Sequence, residues 1–198
     1  MDFKKHLETA WHLTLKFIAP LIFMTLVMAC ASFLTLGILA PVAAAGYIQA
    51  ILLMFREGRE PKIQDVFSRM DLFLPLLAFE VIAVIATAVG LSLLVLPGVL
   101  ISLAIAFGCL YMLPLMTDRN MKLMDALKES FSMSFQGNTA DHFVVTLLVI
   151  GISWIGVNTV IGWLFTQPMA TIFLVSVYEE RMRRIPDFPS DDQTLVQK

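Results

Sequence analysis

"MDLFLPLLAFEVIAVIATAVGLSLLVLPGVLISLAIAFGCLYMLPLMTD", residues 70–118, runs for 49 positions without one lysine or arginine. About 20 apolar residues cross a hydrocarbon core of roughly 30 Å, so this run is too long for one crossing and suits two. The turn between them falls in "LLVLPG", where Pro97 opens the second helix. Proline is tolerated there because its missing N–H would have no partner in a first helical turn. The predicted helices cover 72–95 and 98–117.

Two more tracts repeat the arrangement. Residues 17–55 and 129–180 also lack lysine and arginine, and each holds an uncharged turn, "LGILAP" and "GWLFTQP", ending in Pro41 and Pro168. Helices are predicted over 17–37 and 41–55, and over 142–163 and 168–180. The 14 basic residues fall in four clusters outside these tracts, hence on one side of the membrane. By the positive-inside rule that side is cytoplasmic. The expectation is an all-α membrane protein of the bacterial inner membrane: six transmembrane helices as three hairpins, both termini cytoplasmic. Composition agrees, with 58% hydrophobic and 15% charged residues and a mean hydropathy of +0.80, where a soluble domain is about 45–50% apolar and about 25% charged. One domain covers 1–184, and the polar, proline-containing tail 185–198 is expected to be a disordered cytoplasmic segment.

Lys4 and Lys5, with the apolar run reaching "LVMAC", loosely resemble a signal peptide with a lipoprotein cleavage site. Met28, the long polar lead and the continuation of the run to Leu36 favour an uncleaved first helix. The second helices of the first and third pairs are short, about 22 and 20 Å at 1.5 Å per residue. They cross with local thinning of the bilayer, or they are re-entrant arms.

An amphipathic segment precedes each pair. Phe3, Leu7, Trp11 and Leu15 share a face in the first, Ile63, Val66, Phe67 and Met70 in the second, and Met124, Leu127, Phe131 and Phe135 in the third. These read as interfacial helices lying in the cytoplasmic headgroup layer, against the alternative of ordinary loops. Pro61 is a candidate first residue for the second, Asp118 or Asn120 a cap for the third, and Gly137 its end. Small residues at fourfold spacing, Val42/Gly46/Ala50, Gly98/Ser102/Ala106, Ala86/Gly90 and Ala104/Gly108, suit close helix packing, with a dimer seam as the alternative.

Chemistry-bearing residues are sparse. Glu80 sits in the apolar run "LLAFEVIAVIA" and is placed about 5–12 Å below the cytoplasmic boundary by its distance from the helix start. It is either a proton- or cation-handling group or a carboxylate bonded to a neighbouring helix. Asn158, inside a predicted span, reads as an interhelical hydrogen bond rather than a ligand. His6, His12 and His142 are not spaced as metal ligands, so neither a metal nor another cofactor is expected. Asp141 beside His142 reads as a helix-start acid, and Cys30 and Cys109 as two buried thiols. The basic clusters carry acids and adjoin membrane helices. They point to anionic phospholipids as partners and not to nucleic acid.

Three stretches, "APVAAAGYIQAILLMFREGREPKIQDVF", "LPGVLISLAIAFGCLYMLPLMTDRNMKLMDALKES" and "QPMATIFLVSVYEE", make the chain resemble a loose bacterial superfamily of six-helix inner-membrane proteins over residues 38–180. That superfamily includes the membrane domain of some glycerophosphodiester phosphodiesterases and several uncharacterised families. The likeness rests on Pro41, Gly46, Pro97, Gly98, Pro114, Asp118, Ala126, Leu127, Ser130, Pro168 and Tyr178. It implies a helical membrane fold and carries no catalytic residue, since the phosphodiesterase chemistry of such proteins resides in a separate soluble domain. The expected function is a non-enzymatic structural or regulatory role in the cell envelope, binding lipid, a membrane-protein partner or a second copy of the chain. The alternative is a small channel or transporter that uses Glu80.

Overall fold

The computed structural model describes residues 3–93, 95–135, 139–157 and 160–184, and these are helical with no strand among them. In chain order the helices are α1 (Phe3–Lys16), α2 (Ile18–Leu34), α3 (Ala40–Glu57), α4 (Phe73–Leu93), α5 (Val95–Gly108), α6 (Met112–Asp118), α7 (Leu123–Phe135), α8 (Thr139–Val157) and α9 (Val160–Arg184). By length and composition, three segments of the described residues could cross a membrane: Ile63–Ser92, Val95–Asp118 and Thr139–Gly156. A fourth is added if α1 and α2, bent by 89° to each other, count as one.

The core is built from the second helix of each pair. α3 is buried on nearly every side, from Val42 to Met54, and it packs on α6 and on the Ile172–Tyr178 stretch of α9. Tyr47, Tyr111, Tyr178 and Phe173 are fully buried there. The first helices lie outside. α4 and α8 turn long aliphatic side chains outward, Ile82 being 67% exposed and Ile155 72%. A helix that is apolar all round must be buried in protein or in lipid, and this fold sorts its helices between the two.

Two amphipathic segments are helices as expected, but oriented in a way the pattern alone does not reveal. α1 packs its small and polar side, His6, Ala10 and Thr14, into the protein, while Leu7, Trp11 and Leu15 face out. α7 buries Ala126, Ser130, Met133 and Ser134 and leaves Met124, Phe131 and Phe135 exposed. In water the larger apolar side chains would have been the buried ones. Their outward orientation suits a helix whose apolar face meets lipid.

Elsewhere the structure corrects the sequence reading. The second amphipathic segment is not an α-helix. It consists of two short 3-10 turns, Ile63–Phe67 and Met70–Leu72, the first starting after Lys62, not at Pro61. Val66 from this turn is driven into the core against α3, where a methyl group on Gly46 would collide with the Val66 carbonyl oxygen. That close backbone approach packs the segment directly onto α3. The predicted helix 98–117 is broken at Cys109–Tyr111. Ser130 heals the break, donating to the Gly108 carbonyl at 2.7 Å and accepting the Tyr111 N–H at 3.2 Å. Pro168 does not begin a helix; it lies inside α9, which starts eight residues earlier at Val160. In apolar surroundings a helix retains its internal hydrogen-bond ladder even at the cost of one missing N–H. Pro41 and Pro97 do stand in first turns. Cys30 is exposed rather than buried, Cys109 is half-buried, and both are free thiols. Asp118 and Asn120 are engaged by arginines rather than capping α7, and Gly137 and the tail 185–198 lie outside the described residues.

Glycine also sets the helix separations within hairpins. A methyl at Gly90 would lie 2.9 Å from the Gly98 Cα, and one at Gly156 would meet Thr166. Gly151 faces open space. Gly46→Ala is therefore expected to cost about 1–3 kcal/mol through overpacking against a backbone that cannot rotate away, whereas Gly151→Ala should be neutral or slightly stabilising. Thermal unfolding of the two variants in detergent checks this, and equal midpoints would contradict it.

Candidate functional site

Two polar sites stand out from the apolar body. The first lies where α3, α6 and α9 end together. Arg56, in the last turn of α3, forks onto Asp118 at the end of α6, with Nη1–Oδ1 2.5 Å and Nη2–Oδ2 2.9 Å. Its Nε donates to Glu179 of α9 at 2.8 Å. Tyr178 donates its hydroxyl to the same Asp118 at 3.0 Å, and Arg119 approaches it at 3.5 Å. Asp118 is only 5% exposed, so its charge depends on these donors. A guanidinium suits the position because its planar fork meets two carboxylates at once.

Neighbouring cations finish the helix ends. Arg69 donates to the Thr117 carbonyl (2.6 Å), the Met116 carbonyl (3.2 Å) and the Asn120 side chain (2.7 Å). Arg181 donates to the Met133 carbonyl near the end of α7 at 2.6 Å and lies 5.1 Å over the Tyr111 ring. Cations here offset the negative end of a helix dipole and occupy carbonyls with no intrahelical partner. His6 of α1 bonds Ser176 at 2.7 Å and pairs with Glu180, tying α1 to α9. His142, buried, bonds the Phe107 carbonyl at the end of α5 at 2.8 Å. It acts as a helix-end donor, not as the partner of Asp141 in a reacting pair.

The second site is Glu80. It is half-buried on α4 and lines a groove of about 560 Å³ between α4, α5 and the start of α3, together with Pro41, Phe79, Thr87, Ser102 and Met112. A methyl on Gly37, in the α2–α3 turn, would lie 3.9 Å from the Glu80 carboxylate. Within the fold, Glu80 thus lies beside the α2–α3 turn. The acid sits at the uncharged end of the first hairpin, about 22 Å along α3 from the Arg56 cluster. The 3-10 segment before α4 lies against α3, its Val66 carbonyl next to Gly46. Asn158, the other intramembrane candidate, lies outside the described residues. Of the three prolines, Pro41 touches the Glu80 groove, whereas Pro97 and Pro168 do not line it. Among the described residues no group of three or more His, Cys, Asp or Glu side chains is placed to hold a metal ion.

The Arg56 cluster was missed as a site in the sequence. Its signal was the recurrence of charges at equal places, "FRE", "TDR" and "YEE", at the end of each second helix. Nothing in that recurrence says the three ends meet.

No protein-family model, no curated protein and no solved structure matches the chain.

Removing one member of the cluster should be costly, because a nearly buried carboxylate is left without its fork. Arg56→Met is expected to destabilise the protein by about 3 kcal/mol, and adding Asp118→Asn should recover a large part of that by removing the stranded charge. A double-mutant cycle followed by thermal unfolding measures the coupling; strictly additive losses would refute a shared tie.

Proposed function

We propose that this chain is a multi-pass protein of the bacterial inner membrane that acts as a non-enzymatic structural or regulatory component of the envelope. α2 with α3, α4 with α5–α6, and α8 with α9 form three hairpins, giving six crossings. The charged ends and both termini face the cytoplasm, and α1 and α7 lie in the inner headgroup layer against anionic phospholipids. The observation that carries the reading is the way polar and apolar groups are spent. The ionic side chains Arg56, Asp118, Glu179 and Arg69 tie helix ends together, while α4 and α8 turn aliphatic and aromatic side chains outward and α1 and α7 expose Leu7, Trp11, Met124 and Phe131 beside charged residues such as Lys5 and Lys128. Such a body offers lipid or another membrane protein an apolar surface and spends the charges of the Arg56 cluster on its own cohesion. The resemblance to six-helix inner-membrane families points the same way.

A second reading, a small channel or transporter, draws on one observation: the groove that reaches Glu80. The two readings part on a single complementation test. In a strain lacking the protein, the scaffold reading expects Glu80→Gln to restore the envelope phenotype fully and Arg56→Met, at reduced folded level, to restore it poorly. Loss of complementation by a stably inserted Glu80→Gln would overturn the scaffold reading in favour of transport.

A further inference from the structure

We infer that the groove around Glu80 is a binding site for a lipophilic cation, a molecule with an apolar body and one positive group. The inference goes beyond the scaffold role and rests only on the membrane placement of α4 and α5.

The groove volume is about 560 Å³, enough for a drug-sized ligand. Its walls come from the first two hairpins: Pro41 from α3, Phe79 and Ala83 from α4, and Ile105 from α5. Val84 and Leu91, which also line it, are 61% and 47% exposed, so the groove opens sideways on the outward face of α4. A ligand dissolved in the bilayer therefore enters laterally.

Charge selects the ligand class. Glu80 is the one acid among the lining residues described, and no lysine, arginine or histidine accompanies it. Its nearest polar company in the lining is the hydroxyls of Thr87 and Ser102, and the Ser102 hydroxyl is engaged by the Gly98 carbonyl at 2.9 Å. A carboxylate in such surroundings gains from a counter-charge, and no described lining residue supplies one. A cation brought by the ligand supplies it, and an ion pair formed away from water is far stronger than one at a surface. An anionic or zwitterionic lipid headgroup would bring a phosphate into a lining without a cation to meet it. An uncharged acyl chain would fill the walls but leave the acid unanswered.

Where the groove sits suggests what occupancy does. It touches both Pro41, at the start of α3, and the α4–α5 hairpin, and Glu80 reaches toward the Gly37 turn. A bound cation bridges the first two hairpins at the end opposite the Arg56 cluster.

The test uses the full chain in lipid nanodiscs and equilibrium binding of radiolabelled tetraphenylphosphonium, with a neutral tetraphenyl analogue as control. Saturable binding of the cation is expected, weakened at least about tenfold by Glu80→Gln, with the neutral analogue binding weakly to both. Equal binding of the cation to wild type and Glu80→Gln, or no saturable binding above empty nanodiscs, would overturn the inference. Preference for the neutral analogue would overturn it too, making the groove an acyl-chain site. Glu80→Asp, which keeps the charge, should retain most of the affinity; a loss equal to that of Gln would count against a charge-selected site. Failure of the chain to reconstitute into nanodiscs would instead contradict the membrane placement itself.

Discussion

The structure depends on one shared ion pair, Arg56 held between Asp118 and Glu179. Lipid supplies no hydrophobic drive between helices, because its tails are as apolar as leucine. Helix pairs whose facing surfaces are largely apolar therefore gain from a polar contact that defines which ends meet. Arg56 comes from the first hairpin, Asp118 from the second and Glu179 from the third, so a single guanidinium fixes all three. With that point set, Tyr178 reaches Asp118, Arg69 closes the end of α6, and His6 folds α1 back along α9.

Away from that point, backbone proximity takes over. Gly46 admits the Val66 carbonyl, Gly90 and Gly98 let α4 and α5 touch, and Gly156 receives Thr166. These contacts leave helix separations small where no polar tie exists. The charged end is tied by ion pairs, and beside the Gly37 turn lie the Glu80 groove and a second cavity of about 710 Å³ that reaches Trp163.

Much of the helix layout was legible from residues. The absence of lysine and arginine over 17–55, 70–118 and 129–180 located each pair, because cations avoid hydrocarbon for a strong physical reason. Pro41 and Pro97 marked helix starts correctly for an equally local reason. Pro168 failed because a buried helix can absorb a missing N–H, and nothing local distinguishes that proline from the other two. The 3-10 segment was not legible because it packs against Gly46 of α3, a contact between residues distant in sequence. For Glu80, counting along its own helix says nothing of its neighbours, and its place beside the Gly37 turn is set by packing between helices. The charged cluster shows the broader limit: charges at the end of each helix are visible in sequence, but their meeting is a tertiary fact.

The proposed arrangement, three hairpins with their charged ends together on the inner side, can be tested directly by cysteine accessibility in intact cells. Cys30 and Cys109 are replaced by alanine, and single cysteines are placed at Leu36 and Leu96, both exposed at uncharged turns, and at Glu60 and Lys122 near the charged end. A membrane-impermeant maleimide applied from outside should label Leu36→Cys and Leu96→Cys, and should reach Glu60→Cys and Lys122→Cys only after the membrane is opened. Labelling of the charged-end positions from outside, or of neither turn, would contradict the arrangement.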